Sequence, residues 1–151
     1  MIKIMFVCHG NICRSPMAEF VFRDLVNKNG ISENFHIASS ATSTEAIGCA
    51  VHRGTREKLK QFGISTDGKF AVRLTKNDYN EFDYIIAMDS LNIRNIKLLI
   101  GPDKKHKVSR LLDFAGGGDI SDPWYTGDFD KTYDDVLRGC IALLDTILNK
   151  K

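Results

Sequence analysis

The segment Ile2 to Val7 is a short, almost unbroken apolar run. This is the pattern of a strand buried on both faces of a parallel sheet. It breaks off at Cys8-His9-Gly10-Asn11, and a helix signal follows at once. Ser15-Pro16 reads as a cap with proline at the first helical position, and Ala18, Val21, Phe22 and Leu25 recur at helical spacing up to Asn29-Gly30. The alternation then repeats. Phe35 to Ala41 reads as a strand, and roughly Ala50 to Phe62 as a helix with a weaker apolar stripe, stopped by Gly63. Asp83 to Met88 reads as a third strand, followed by a helix capped by Ser90, striped by Ile93, Ile96, Leu99 and Ile100, and ended by Gly101-Pro102. Three such alternations imply an α/β fold built on a parallel sheet. Val108 to Leu112 reads as a fourth strand, and Asp113 to Asp130 as a long polar loop with glycines at 116 to 118. Loops of that length are commonly functional. The closing helix is expected to pack through Val136, Leu137, Cys140, Ile141, Leu144 and Leu148.

The length, 151 residues, fits one domain spanning 1–151, with no internal linker, low-complexity tract or repeat. Lys and Arg exceed Asp and Glu by only 21 to 19, too small an excess for a nucleic-acid or membrane-surface binder. No apolar run approaches the roughly 18 residues of a membrane span, and Met1 to Ile4 leads into a strand rather than a signal peptide. A cytoplasmic protein is expected, with Cys8, Cys13, Cys49 and Cys140 as reduced thiols.

The loop Cys8-His9-Gly10-Asn11-Ile12-Cys13-Arg14-Ser15 sets a cysteine and an arginine six positions apart between a buried strand and a helix start. There, backbone N–H groups can converge on one centre and the helix adds the positive end of its dipole, so phosphate or another oxyanion is the expected ligand. Arg14 can give such an anion two parallel charge-assisted hydrogen bonds, and Gly10 is expected to relieve crowding in the turn. The same field should favour Cys8 as a thiolate, the form competent as a nucleophile. Alone, Cys8 would read as the buried end of a strand; with Arg14, Ser15 and the strand-to-helix setting, the catalytic reading prevails. His9 is expected at the pocket rim, because His36, His52 and His106 stand in no metal-ligand spacing to it. No metal or other cofactor is expected.

The run F-V-C-H-G-N-I-C-R-S-P-M-A-E and D-P-W-Y at Asp122 to Tyr125 resemble the two signatures of the low-molecular-weight protein tyrosine phosphatase family. The likeness runs the length of the chain, with further matches at Ser39, at Ala87-Met88-Asp89 with Asn92, and in the closing helix. The resemblance implies a four-stranded parallel sheet flanked by helices on both faces. It implies hydrolysis of phosphotyrosine in proteins, and of small aryl phosphates, through a phosphocysteine on Cys8, without a metal. Asp122 would be the general acid and then the base. On residue chemistry alone Asp122 has rivals at 113, 119, 128 and 130, and an Asp-Pro is more often a turn former; the resemblance selects it. Asn11, Ser15 and Ser39 correspond to residues that hold the loop, with Asn11 in strained, left-handed backbone. Trp124 and Tyr125 would line the cleft mouth, with Tyr125 the one tyrosine left of a pair that is phosphorylated in animal relatives. Thr44 to Ile47 lacks the tryptophan that those relatives place there, and Glu45 would contribute negative charge instead. Cys13 admits two readings: a disulfide partner protecting Cys8, or a small residue packed under the loop. Cys140 reads as core, and Cys49 carries no signal.

Rival readings stay open on the residues. A thioredoxin-linked arsenate reductase of this fold needs two further cysteines near the third strand, and none lies between Asp83 and Pro102. Protein-arginine phosphatases carry Thr at the position of Ile12, so Ile12 favours an aryl phosphate. A silent phosphate-binding module is opposed by Cys8, Arg14 and Asp122 occurring together, and a redox sensor using Cys8 and Cys13 is compatible with catalysis. A monomer is expected, with phosphotyrosine-containing proteins as partners and neither nucleic acid nor membrane among them.

Overall fold

The computed structural model describes residues 1–150. Strand β1 (Ile2–Cys8) leads into helix α1 (Arg14–Lys28), and β2 (Phe35–Ala41) follows a 3-10 turn. Next come α2 (Arg53–Lys60), the short α3 (Asp78–Glu81), β3 (Tyr84–Ala87), α4 (Ser90–Ile100) and β4 (Val108–Arg110). A 3-10 segment, Leu111–Ala115, precedes α5 (Pro123–Thr126) and the long α6 (Phe129–Leu148). The four strands form one parallel sheet in the order β2-β1-β3-β4.

The apolar run of β1 is explained by this order, because a central parallel strand has both faces covered. Ile4, Phe6 and Cys8 pack into a core shared with α1, α2 and α6, and Phe6 lies 5.8 Å from Phe22 of α1, ring centre to ring centre. Met5 and Val7 point the other way, into a smaller cluster with Phe82, Ile85 and Ile96 beneath α3 and α4. Helices therefore cover both faces, as expected. The carboxyl ends of β1, β2 and β3 reach the same edge, where open α/β sheets bind their ligands. No described helix is long and apolar enough to cross a membrane.

Local departures have identifiable causes. Ser15 does not cap α1: the cap position is Cys13, without a side-chain cap bond, and the Ser15 hydroxyl turns instead to the Cys8 sulfur. Asp89 rather than Ser90 caps α4, its Oδ1 accepting from the Asn92 N–H at 2.7 Å. The second helix begins at Arg53, since Ala50 is held extended by an antiparallel bridge to Phe70. Leu111 and Leu112 belong to the 3-10 segment beyond β4, and the expected loop contains α5. In α6 the buried stripe is Val136, Cys140, Leu143, Leu144 and Ile147, whereas Ile141 and Leu148 are about half exposed. A true helical period places Leu143 and Ile147, not Ile141 and Leu148, on the covered face.

Candidate active site

The loop from Cys8 to Ser15 is held from outside by its own carbonyls. The Cys8 and His9 carbonyls accept from the N–H groups of Thr42 and Ser43, just past β2. The Ile12 carbonyl accepts from the His52 N–H, and the Cys13 carbonyl accepts from the buried Thr55 hydroxyl at 3.0 Å. With carbonyls directed outward in this way, the loop can turn amides toward its centre, the arrangement of an anion nest. Asn11 adopts φ 57, the left-handed conformation expected of it, and donates one hydrogen bond to the Cys8 sulfur from its N–H at 3.3 Å. Gly10 has no such need: its φ is not positive, and an added Cβ would meet only Ile12 and Ala46 at ordinary contact distance, which corrects the expectation of crowding.

Behind the loop runs a buried polar chain. Asn11 Nδ2 donates to Ser15 Oγ at 2.8 Å and to Ser39 Oγ at 2.9 Å, and Asn11 Oδ1 accepts from the Val72 N–H. Ser15 Oγ lies 3.1 Å from Cys8 Sγ. Ser39 in turn donates to Glu19, a buried carboxylate that also meets Arg23 at 2.7 Å and Lys69 at 3.2 Å. Every member is paired, the condition under which a buried polar network rigidifies a structure rather than weakening it. Ser39 thus lies behind the loop, bonded to Asn11 and Glu19. Glu19 and Lys69 were not foreseen. The signal for Glu19 was a carboxylate four residues after Ser15, hence on the same helical face.

In front lies a cleft of about 260 Å³ lined by Cys8, His9, Gly10, Ile12, Cys13, Arg14, Glu45, Ala46, Asp122, Trp124 and Tyr125. Arg14 is buried, and its Nη1 donates to Asp89 Oδ2 at 2.6 Å and to the Ile120 carbonyl at 2.9 Å. Its Nη2 lies 3.4 Å from Asp122 Oδ2. Burial works against the charge of Arg14, yet the negative charge of Cys8, the Asp89 hydrogen bond and the carboxylates outweigh it and push the guanidinium pKa up. Asp122 caps the short α5, its Oδ1 accepting from the Trp124 N–H at 3.0 Å, and its backbone is extended, as a residue before proline should be. The tie from Asp89 to Arg14 was missed, although a carboxylate just past the end of β3 stands on the ligand-binding edge of the sheet.

At the rim, His9 Nε2 lies 3.1 Å from Glu45 Oε2. Trp124 and Tyr125 stand on α5 with large exposed faces, 60% and 82%. Cys13 is buried in the loop wall. Burial, then the negative charges of Cys8 and Asp122, push its pKa from 9.0 up to about 12 against the opposing pull of Arg14, so it remains a neutral thiol. The four cysteines are free. Cys140 sits in the core and Cys49 on the surface.

Residues 3–151 match the family model described as low molecular weight phosphotyrosine protein phosphatase. The chain is similar to the low molecular weight protein-tyrosine-phosphatase YfkJ of Bacillus subtilis, with 42% identity over all of this chain and 99% of the relative. The crystal structure of YfkJ superposes with a TM-score of 0.95 over 100% of this chain and 97% of that one. PtpA of Staphylococcus aureus, named a low molecular weight protein-tyrosine-phosphatase, is 39% identical over 98% of this chain and 95% of its own length. SP-PTP, a low molecular weight protein tyrosine phosphatase from Streptococcus pyogenes, is 42% identical with a TM-score of 0.89, covering 99% of this chain and 95% of that chain.

Proposed function

Because the chain belongs to the low molecular weight phosphotyrosine protein phosphatase family and is a protein tyrosine phosphatase, we propose that Cys8 is its nucleophile, Arg14 its phosphate clamp and Asp122 its general acid and base. One observation carries this reading: Cys8, Arg14 and Asp122 line a single cleft, with Asp122 and Arg14 adjoining across it. Donors from Ser15 and Asn11 suit negative charge on the Cys8 sulfur, because hydrogen bonds to a charged form favour it.

In the first step the Cys8 sulfur forms a bond to phosphorus while the bond from phosphorus to the aryl oxygen breaks. The proton of Asp122 passes to that oxygen, so that phenol rather than phenolate departs. In the second step water attacks the phosphocysteine, the P–S bond breaks, and Asp122 takes the water's proton as inorganic phosphate leaves. Arg14 and the loop His9 to Ser15 hold the equatorial oxygens throughout, as preorganised electrostatic stabilisation. Trp124 and Tyr125 form an aromatic wall for the phenyl ring, faced by Ile12 and Glu45. We take the chain to act as a single domain and a monomer on phosphotyrosine-containing proteins.

The test is hydrolysis of a small aryl phosphate in the presence of chelator. Cys8→Ser should abolish turnover. Asp122→Ala should lose most on substrates with poor leaving groups, and equal losses for good and poor leaving groups would overturn its role as acid.

A further inference from the structure

We propose that His52 is a positioning residue that fixes Asp122 relative to the phosphate loop, an inference that rests on reading Asp122 as the general acid. His52 immediately precedes α2, and its backbone N–H donates to the Ile12 carbonyl at 2.8 Å, so it is fastened to the phosphate loop. Its ring Nδ1 accepts the Gly54 N–H at 3.0 Å, capping the helix, which leaves the proton of the neutral ring on Nε2.

The ring itself is spent on the segment that carries Asp122. It stacks on Phe129, centroids 5.3 Å apart and planes 13° from parallel, and it meets the Trp124 ring nearly edge-on at 5.6 Å. Trp124 and Phe129 stand at the two ends of the short segment carrying α5, the segment that Asp122 opens. The Trp124 N–H in turn holds Asp122 Oδ1. One imidazole therefore grips both ends of the acid segment while its own backbone grips the nucleophile loop.

The neighbouring glycine is part of this seat: a Cβ on Gly54 would fall 2.3 Å from the Phe129 ring. Further along α2, Lys58 meets Asp130 just beyond the acid segment at 2.8 Å. A general acid acts only within hydrogen-bond reach of the leaving oxygen, and a displacement of about 1 Å can reduce a rate by as much as about a hundredfold. The contacts of His52 thus bear on how well the second catalytic group is aimed, not on phosphate binding.

The experiment compares kcat/KM over a series of aryl phosphates of rising leaving-group pKa, together with inhibition by inorganic phosphate. His52→Asn keeps a cap acceptor and removes the ring; it should lose about tenfold on the poorest leaving group and less than about twofold on the best, with phosphate inhibition unchanged. His52→Phe keeps the ring and removes the acceptor, and its leaving-group profile should follow the wild type. In an Asp122→Ala background, His52→Asn should add almost nothing, since both changes act through one group. Equal losses on all substrates, or weakened phosphate inhibition, would overturn the proposal in favour of plain support of the loop. If Asp122→Ala shows no leaving-group dependence, the acid assignment itself fails; if it does and His52→Asn is flat, only the role of His52 fails. Should His52→Asn not fold, His52→Gln is read against the same outcomes.

Discussion

Arg14 and Asp89 are joined by a 2.6 Å hydrogen bond from Nη1 to Oδ2, across 75 residues of sequence. The guanidinium that lines the cleft is thereby anchored from the end of the third strand. The other oxygen of the same carboxylate caps α4. Asp89→Asn separates these roles, because Asn caps a helix about as well as Asp but cannot also accept from Arg14 with its second side-chain atom. Loss of a hydrogen bond to a charged group should nonetheless lower kcat/KM and phosphate affinity by about tenfold or more. Thermal unfolding and phosphate inhibition measured together check this, and unchanged kinetics would leave Asp89 as a cap only.

Asn11 combines a left-handed backbone with a side chain that bonds Ser15, Ser39 and the Val72 N–H. Asn11→Gly keeps the backbone and loses the bonds, whereas Asn11→Ala loses both. The alanine variant should therefore be less stable than the glycine variant by about 1 kcal/mol, the cost of a Cβ in left-handed backbone. Both should lose turnover, as Ser15 and Ser39 are released. Chemical denaturation of the pair decides between them, and equal stability would mean the backbone is unstrained.

Alkaline pH should destabilise the fold through two thiols. Cys13 is pushed from 9.0 up to about 12, and complete burial pushes Cys140 up as well. Between the ordinary thiol pKa and the raised folded value, the unfolded chain releases protons that the folded chain retains, so the unfolded state binds fewer and stability falls as pH rises. The contribution is absent below about pH 8 and grows from about pH 9. Cys140→Ala should lower stability at neutral pH by leaving a cavity, yet show a shallower decline above pH 9. Denaturation midpoints across that range test this, and an unchanged slope would reject it.

Gly54 lies inside α2, where alanine would ordinarily favour the helix by about 0.5–1 kcal/mol. The Phe129 ring occupies the space that a Cβ needs. Overpacking costs about 1–3 kcal/mol and should win, so Gly54→Ala is expected to be destabilised overall. Gly139→Ala, whose Cβ would fall 2.5 Å from Leu111 Cγ, should behave alike. A rise in Tm for either would mean the neighbouring side chain swings away freely.

Legibility in the sequence followed distance along the chain. The unit β1, loop and α1 could be read directly, since its apolar run, its turn and its helical stripe are local patterns. Cys8 and Arg14 came with it. Boundaries slipped where a side chain had two employers. Ser15 read as a cap but serves the Cys8 sulfur, and Ser90 read as a cap beside Asp89, which does the capping. Asp122 could not be separated from its neighbouring aspartates by residue chemistry, and only resemblance to a family selected it.

By itself, then, the sequence determined the parallel α/β sheet and the phosphate loop, because strand burial, helix period and the six-residue spacing of Cys8 and Arg14 are properties of contiguous segments. Only the tertiary structure decided which carboxylates meet Arg14, with Asp89 and Asp122 lying 75 and 108 residues away. It alone decided that Glu19 and Lys69 stand behind Ser39, and that His52 touches both the phosphate loop and Trp124. Such contacts depend on the order in which strands pair and on how loops cross the sheet edge. Those choices rest on packing summed over the whole core, which no local pattern of residues encodes.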